Sequence, residues 1–202
     1  MKERHVGRQL ALTLPVILAP ILYGLTIYRR LPARIAIHWG VNNTPNGWAS
    51  RPMFVFGLPL MMCAFQLLVL LVPRGKQSAP RFERIVIWLM PLMTVILYLA
   101  TAQIALGAHI DVWRLATGLI GVMFIAMGNY IPTIPAGYSY GLNTMRWLSR
   151  RAQWPRVARR LGRWMVLAGL GLLISLALAP AVSIVILVIA CVGLLVAPLI
   201  AK

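Results

Sequence analysis

Three side chains able to do acid–base or metal chemistry, His38, His109 and Asp111, stand in short polar stretches between long apolar runs. Neutral imidazoles with a carboxylate form a donor set that suits zinc, and an imidazole near a carboxylate is proton-sensitive. Ligands spread over separate loops are a weak pattern. The expectation is therefore a structural His38, hydrogen-bonded within its own loop, with no metal and no catalytic residue. Around it lie groups of a second kind: Trp39, the amides of Asn42, Asn43 and Asn46, and Gly47. These are turn and recognition residues, since Asn and Gly tolerate positive φ and Pro45 presets its own. A further polar cluster, Gly128, Asn129, Pro132, Gly141, Asn143, Thr144, Arg146 and Trp147, begins at the end of the fourth apolar run. An amide such as Asn129 near a span end needs a partner, so it is expected to cap or bridge helices, or to line a pocket with Asn143 and Thr144.

The elements that hold these residues are set by composition. The chain is 60% hydrophobic and 11% charged, with a net charge of +17. A soluble protein would carry about twice that charged fraction. Six apolar runs are long enough to be read as spans, over residues 9–28, 53–72, 85–106, 112–131, 164–178 and 181–201. The first is not expected to be a cleaved signal peptide, because no small-x-small site follows it and more spans do. Pro180 separates the last two, leaving a tight hairpin. The fold class is thus all-α: a polytopic membrane protein with about six transmembrane helices. Placing the N-terminus in the cytoplasm puts 15 of the 20 Lys and Arg residues inside and five outside. That asymmetry favours cytoplasmic N- and C-termini, as expected of an inner-membrane protein.

Two stretches stand out in this plan. Residues 1–73 form a first helical hairpin with a structured outer loop at 31–52, longer than a simple connector and rich in Gly, Asn, Pro and Trp. It reads as an extended piece at 35–37 followed by turns at 42–44 and 45–47, a compact lid with carbonyls and amides facing out. Residues 74–202 form a four-helix region with a basic cytoplasmic segment at 132–163. There Arg156, Arg159, Arg160 and Arg163 share one helical face. Trp154, Val157, Ala158, Leu161 and Trp164 or Met165 form the opposite stripe, so the segment is expected to lie on the inner leaflet. Gly169 and Gly171 are expected to let the fifth span pack closely. The positive charge calls for anionic lipid as a partner and not for direct nucleic acid. Cys63 and Cys191 sit apart in apolar runs and imply neither a disulfide nor a metal site.

The two polar clusters also carry a resemblance. Leu31, Pro32, Ile35, His38 and Trp39, followed by the Pro45-Asn46-Gly47 turn, resemble an uncharacterised bacterial membrane domain found at the start of SdpI-like proteins. Gly128, Asn129, Pro132, Gly141, Thr144, Trp147, Leu148 and Trp154 resemble the SdpI-like signature at the inner end of the fourth span. Asn143 and Met145 depart from the Arg and Pro usual there, and Asn46 stands where Asp is frequent, so roles resting on those side chains are not carried over.

The resemblance implies a membrane immunity protein that protects the cell against a membrane-active toxic peptide, with no cofactor. It also implies signalling by holding a repressor at the membrane. A toxin would meet the outer loop, at His38, Trp39, Asn42, Asn43, Asn46, Gly47, His109 and Asp111. A repressor would meet the cytoplasmic face at 138–163. Two other readings remain open. One is a transporter of a small apolar or lipid-like substrate, compatible with spans almost free of ionisable groups. The other is a membrane-embedded metal-dependent enzyme. No H-E-x-x-H, G-x-S-x-G or P-loop is present, so such an enzyme would rest on His38, His109 and Asp111 alone.

Overall fold

The computed structural model describes residues 2–40, 43–71, 78–138 and 154–200. Its α-helices are α1 (Lys2–Ile27), α2 (Leu58–Leu71), α3 (Pro80–Ala105), α4 (Val112–Tyr130), α5 (Trp154–Ser175) and α6 (Pro180–Ile200). Between α1 and α2 lie a short 3₁₀ turn, strands β1 (Arg34–Trp39) and β2 (Pro45–Ser50), and a π-helical turn at Met53–Gly57. Among the described residues, Val6–Arg30, Met53–Leu71, Pro80–Ala105 and Val112–Thr133 are long and apolar enough to cross a bilayer, and Pro180–Val196 is a shorter apolar helix. This is a multi-pass α-helical membrane protein.

Why these segments suit lipid is clearest in α2, which buries only Pro59, Gln66 and Leu70. Those positions lie seven and four residues apart, one narrow protein-facing stripe, while Leu60, Phe65, Leu68 and Leu71 are exposed around it. The sequence-based span at 164–178 proves to be the second half of α5. That helix begins at Trp154, and its early turns carry Arg156, Arg159, Arg160 and Arg163, all exposed. Their charge keeps α5 out of the group long and apolar enough to span.

The chain forms two compact units, Met1–Val72 with Val86–Val112, and Pro73–Ile85 with Trp113–Lys202. In the first, Ile27, Leu31, Ile35, Phe54, Val55, Tyr98 and Ala102 make one buried cluster. Phe54 stacks on Tyr98 with ring centroids 4.5 Å apart, and Gln103 donates from Nε2 to the Tyr23 hydroxyl at 2.7 Å. Gly24 leaves the space that the Tyr98 hydroxyl fills, for a Cβ there would stand 2.0 Å from that oxygen. Lower in the same unit, Pro91 deprives the Ile87 carbonyl of its helical donor, four residues back. Gln66 of α2 supplies a replacement, donating from Nε2 to that carbonyl at 3.1 Å.

The second unit is built on glycine. Gly121 and Gly128 of α4 meet Gly169 and Gly162 of α5, seven residues apart on each helix and in opposite order, so the helices run antiparallel. A Cβ on Gly162 would lie 2.5 Å from the Gly128 carbonyl oxygen, and one on Gly169 would lie 2.6 Å from that of Gly121. Gly171, by contrast, meets Ile186 at an ordinary 3.5 Å. Pro180 opens α6, where its missing N–H costs nothing. Next to that turn, the buried hydroxyls of Ser175 and Ser183 bond to each other. Trp164 donates from Nε1 to the Ala190 carbonyl at 3.1 Å.

Candidate functional site

The loop at 31–52 is a β-hairpin seated on helix ends, not a lid. Alternation in β1 sends Ile35 inwards, where it is 1% exposed and paired with the buried Ala49 of β2. Ile35 belongs to the cluster of Ile27, Leu31, Phe54 and Tyr98, which fixes the root. The antiparallel ladder, which runs from Arg34↔Ser50 to Trp39↔Pro45, takes up the carbonyls of alternate residues and leaves those between them facing away from the partner strand. Pro45-Asn46-Gly47 is accordingly strand and not turn. Pro45 opens β2, a position where a missing N–H is tolerated.

The turn itself lies one step earlier. Asn43 donates its N–H to the Gly40 carbonyl at 3.1 Å, and Gly40 donates to the Thr44 carbonyl at 2.9 Å. Asn43 has φ of 56°, the left-handed conformation that closes such a hairpin. Its side-chain amide donates to Asp111 Oδ1 at 2.8 Å, tying the tip to the α3–α4 connection. Gly107, at φ of 99°, sets that connection. Ala108 bonds back to the Gln103 carbonyl and Gly107 to that of Ile104, the 6→1 and 5→2 pair of a Schellman cap. At the mouth, Arg51 donates its N–H to the Ala33 carbonyl at 3.1 Å and lays its guanidinium 5.3 Å from the Tyr28 ring centroid. Root, tip and mouth are all held.

What the hairpin offers outwards follows from this seating. His38 and Asn46 are exposed, and Nδ1 of His38 bonds Oδ1 of Asn46 at 2.5 Å, within the same loop. That bond leaves Nε2 as the ring's remaining polar atom. Gly47 fits beside His38, for a Cβ there would lie 3.0 Å from that of His38. Trp48 is 50% exposed, with the Arg34 guanidinium 5.8 Å from its ring centroid, and Trp39 is half-buried. Asn42 lies outside the described residues. His109 is exposed in the α3–α4 connection. Among the described residues no three His, Cys, Asp or Glu side chains come together to hold a metal ion. The hairpin thus presents an imidazole, an amide, an indole and a guanidinium on a fixed frame.

The second cluster divides differently. Gly128 and Pro132 are packing residues, because both press on Gly162 of α5. Asn129 is exposed, and the buried position at that helix end belongs to Gly128. Gly141, Asn143, Thr144, Arg146 and Trp147 lie outside the described residues. The apolar stripe of the basic helix is real, with Trp154, Val157, Ala158, Leu161 and Met165 buried. It does not rest on a leaflet. Trp154 donates from Nε1 to the Ile134 carbonyl at 2.9 Å, and the Met165 Cβ approaches Gly128, so the stripe packs on the chain itself.

Sequence reasoning missed Gln66 and its clamp on Ile87. The signal was present, since Gln66 is the one amide in the run 53–72. Residues 16–63, which hold the hairpin and the flanking parts of α1 and α2, are similar to a family described as a domain of unknown function, DUF1648. No curated protein and no solved structure matches the chain.

Proposed function

We propose that this is an SdpI-like immunity protein of the bacterial inner membrane, which protects the cell non-enzymatically against a membrane-active toxic peptide. Both termini lie in the cytoplasm and the hairpin lies outside. The observation that carries the reading is the fixed, exposed face of His38, Asn46, Trp48 and Arg34 on a hairpin held at root, tip and mouth. A preordered face loses little freedom on binding a partner, which suits recognition better than gating. The likeness of residues 16–63 to the DUF1648 domain and the SdpI-like residues around Gly128 support the same reading. Signalling through a repressor would use the basic segment, whose exposed Arg156, Arg159, Arg160 and Arg163 suit an acidic partner.

Survival of a sensitive strain exposed to membrane-active peptides tests this, with and without the protein and with membrane abundance measured. His38→Ala and Asn46→Ala are expected to lose protection at unchanged abundance. Loss of protection only in step with loss of protein makes these residues scaffold and defeats the assignment of the face. Protection that collapses with the ion gradient would instead mark a transporter.

A further inference from the structure

We infer that the hairpin end of the first unit binds the phosphodiester headgroups of anionic phospholipid through Arg29, Arg30, Arg34 and Arg51. The inference does not rest on the proposed immunity function, nor on which side of the membrane the hairpin faces.

The height of the hairpin comes first. On α1, Leu22 and Leu25 are exposed apolar side chains, and Arg29 and Arg30 follow within about one helical turn. On the other side of the hairpin, Met53 and Phe56 are exposed, directly after Arg51. Apolar surface thus gives way to arginine at matching levels on both flanks, with the exposed Trp48 and half-buried Tyr28 between. That sequence of apolar surface, aromatic rings and cations marks the bilayer's interfacial layer. A hairpin rooted by Ile35 among the helix ends cannot rise clear of it.

The second observation is charge without a carboxylate partner among the described residues. Arg29, Arg30 and Arg34 are exposed and Arg51 is half-exposed. The first unit holds only Glu3 and Asp111 as acids, and Asp111 accepts from Asn43. Arg34 and Arg51 are instead steadied by the rings of Trp48 and Tyr28, which attract a cation without neutralising it. Guanidinium groups bind phosphate oxygens bidentately, and at this height the phosphate present in bulk is that of lipid.

The test uses the full chain in phosphatidylcholine vesicles doped with photoactivatable phosphatidylglycerol or, separately, photoactivatable phosphatidylcholine. The labelled peptide is located by mass spectrometry. Phosphatidylglycerol is expected to label the peptide around residues 25–56 in clear preference to phosphatidylcholine. Each arginine near the surface is worth about 1 kcal/mol, so each Arg→Gln change is expected to lower that preference about fivefold. The triple variant Arg29→Gln, Arg30→Gln, Arg34→Gln leaves the Arg51 clip intact, so it separates lipid binding from hairpin folding. Changing Arg156, Arg159, Arg160 and Arg163 to Gln is expected to leave labelling at the hairpin unchanged. Equal labelling by the two probes, or a triple variant with the original preference, overturns the inference. Displacement of the lipid by millimolar glycerol phosphate overturns it too, because the surface would then take free phosphate.

Discussion

The two units of this protein solve helix packing in opposite ways. The first fills its interior with large side chains, Phe54 stacked on Tyr98 and Ile35 pressed among them, and fastens the edges with Arg51 and the Asn43–Asp111 bond. The second removes side chains, so that Gly121 and Gly128 let the α4 backbone touch that of α5. A frame of side chains can hold a loop at a set height, because each contact is specific in direction. Backbone contact through glycine brings two helices together over a length, and it leaves their outer faces free, here for four arginines. The candidate recognition face accordingly sits on the first unit.

The most direct way to break this contrast is to put a methyl group into each frame. Gly162→Ala and Gly128→Ala push a Cβ to 2.5 and 2.8 Å from a backbone oxygen that cannot step aside. Each is expected to cost about 3 kcal/mol, the upper end of overpacking, read as a fall in the thermal unfolding temperature of the solubilised protein. Gly171→Ala, at 3.5 Å from a side-chain methyl, and Gly7→Ala, with nothing within 4 Å, are the controls and should be neutral or slightly stabilising, since alanine suits a helix better than glycine. Equal tolerance at Gly162 and Gly171 would show that α4 and α5 are not in backbone contact.

In the first unit the clash is with a side chain, and so it can be relieved. Gly24→Ala is expected to cost about 1–3 kcal/mol through the Tyr98 hydroxyl. Tyr98→Phe should recover much of that loss. On its own Tyr98→Phe should be close to neutral, because the hydroxyl is buried with no hydrogen-bond partner. A double-mutant cycle on thermal stability measures the coupling, and additive effects would refute the notch.

Much of the scaffold was legible, for a physical reason. Runs that are apolar all round, such as residues 53–72, need no partner to declare themselves, and the i, i+3, i+4, i+7 spacing of Arg156 to Arg163 fixes an exposed face. What covers the opposite face was not legible, because Trp154 meets Ile134 across twenty residues of chain. The hairpin was half legible. Residues 35–37 read as an extended piece, but the partner strand begins Pro45-Asn46-Gly47, residues whose local chemistry reads as turn. Pairing with β1 overrode that preference, and the turn fell at Asn43, the one non-glycine residue with positive φ among the described residues.

That turn gives a smaller test, confined to the hairpin. Asn43→Gly keeps the left-handed backbone and removes the amide on Asp111, whereas Asn43→Ala removes the amide and adds strain. Hydrogen exchange of β1 and β2 should speed up in both. Asn43→Ala should exchange faster than Asn43→Gly, by an opening free energy of about 1 kcal/mol. Exchange unchanged in both variants would mean that the root alone holds the hairpin.

The smallest effect separates two meanings of a polar residue in a membrane helix. Gln66 is wholly buried, and its Nε2 bonds a carbonyl that Pro91 has left without its helical donor; its Oε1 has no partner. If the amide is there to serve Ile87, its worth depends on Pro91. Gln66→Leu should then destabilise the protein by about 0.6 kcal/mol, the usual size of such interhelical bonds. In a Pro91→Ala background the helix supplies its own N–H to Ile87, and Gln66→Leu should become neutral or slightly stabilising, since a buried unpaired oxygen is removed with it. A Gln66→Leu effect of the same size in both backgrounds would break the link. The amide would then belong to a polar ligand or neighbour and not to the mending of α3.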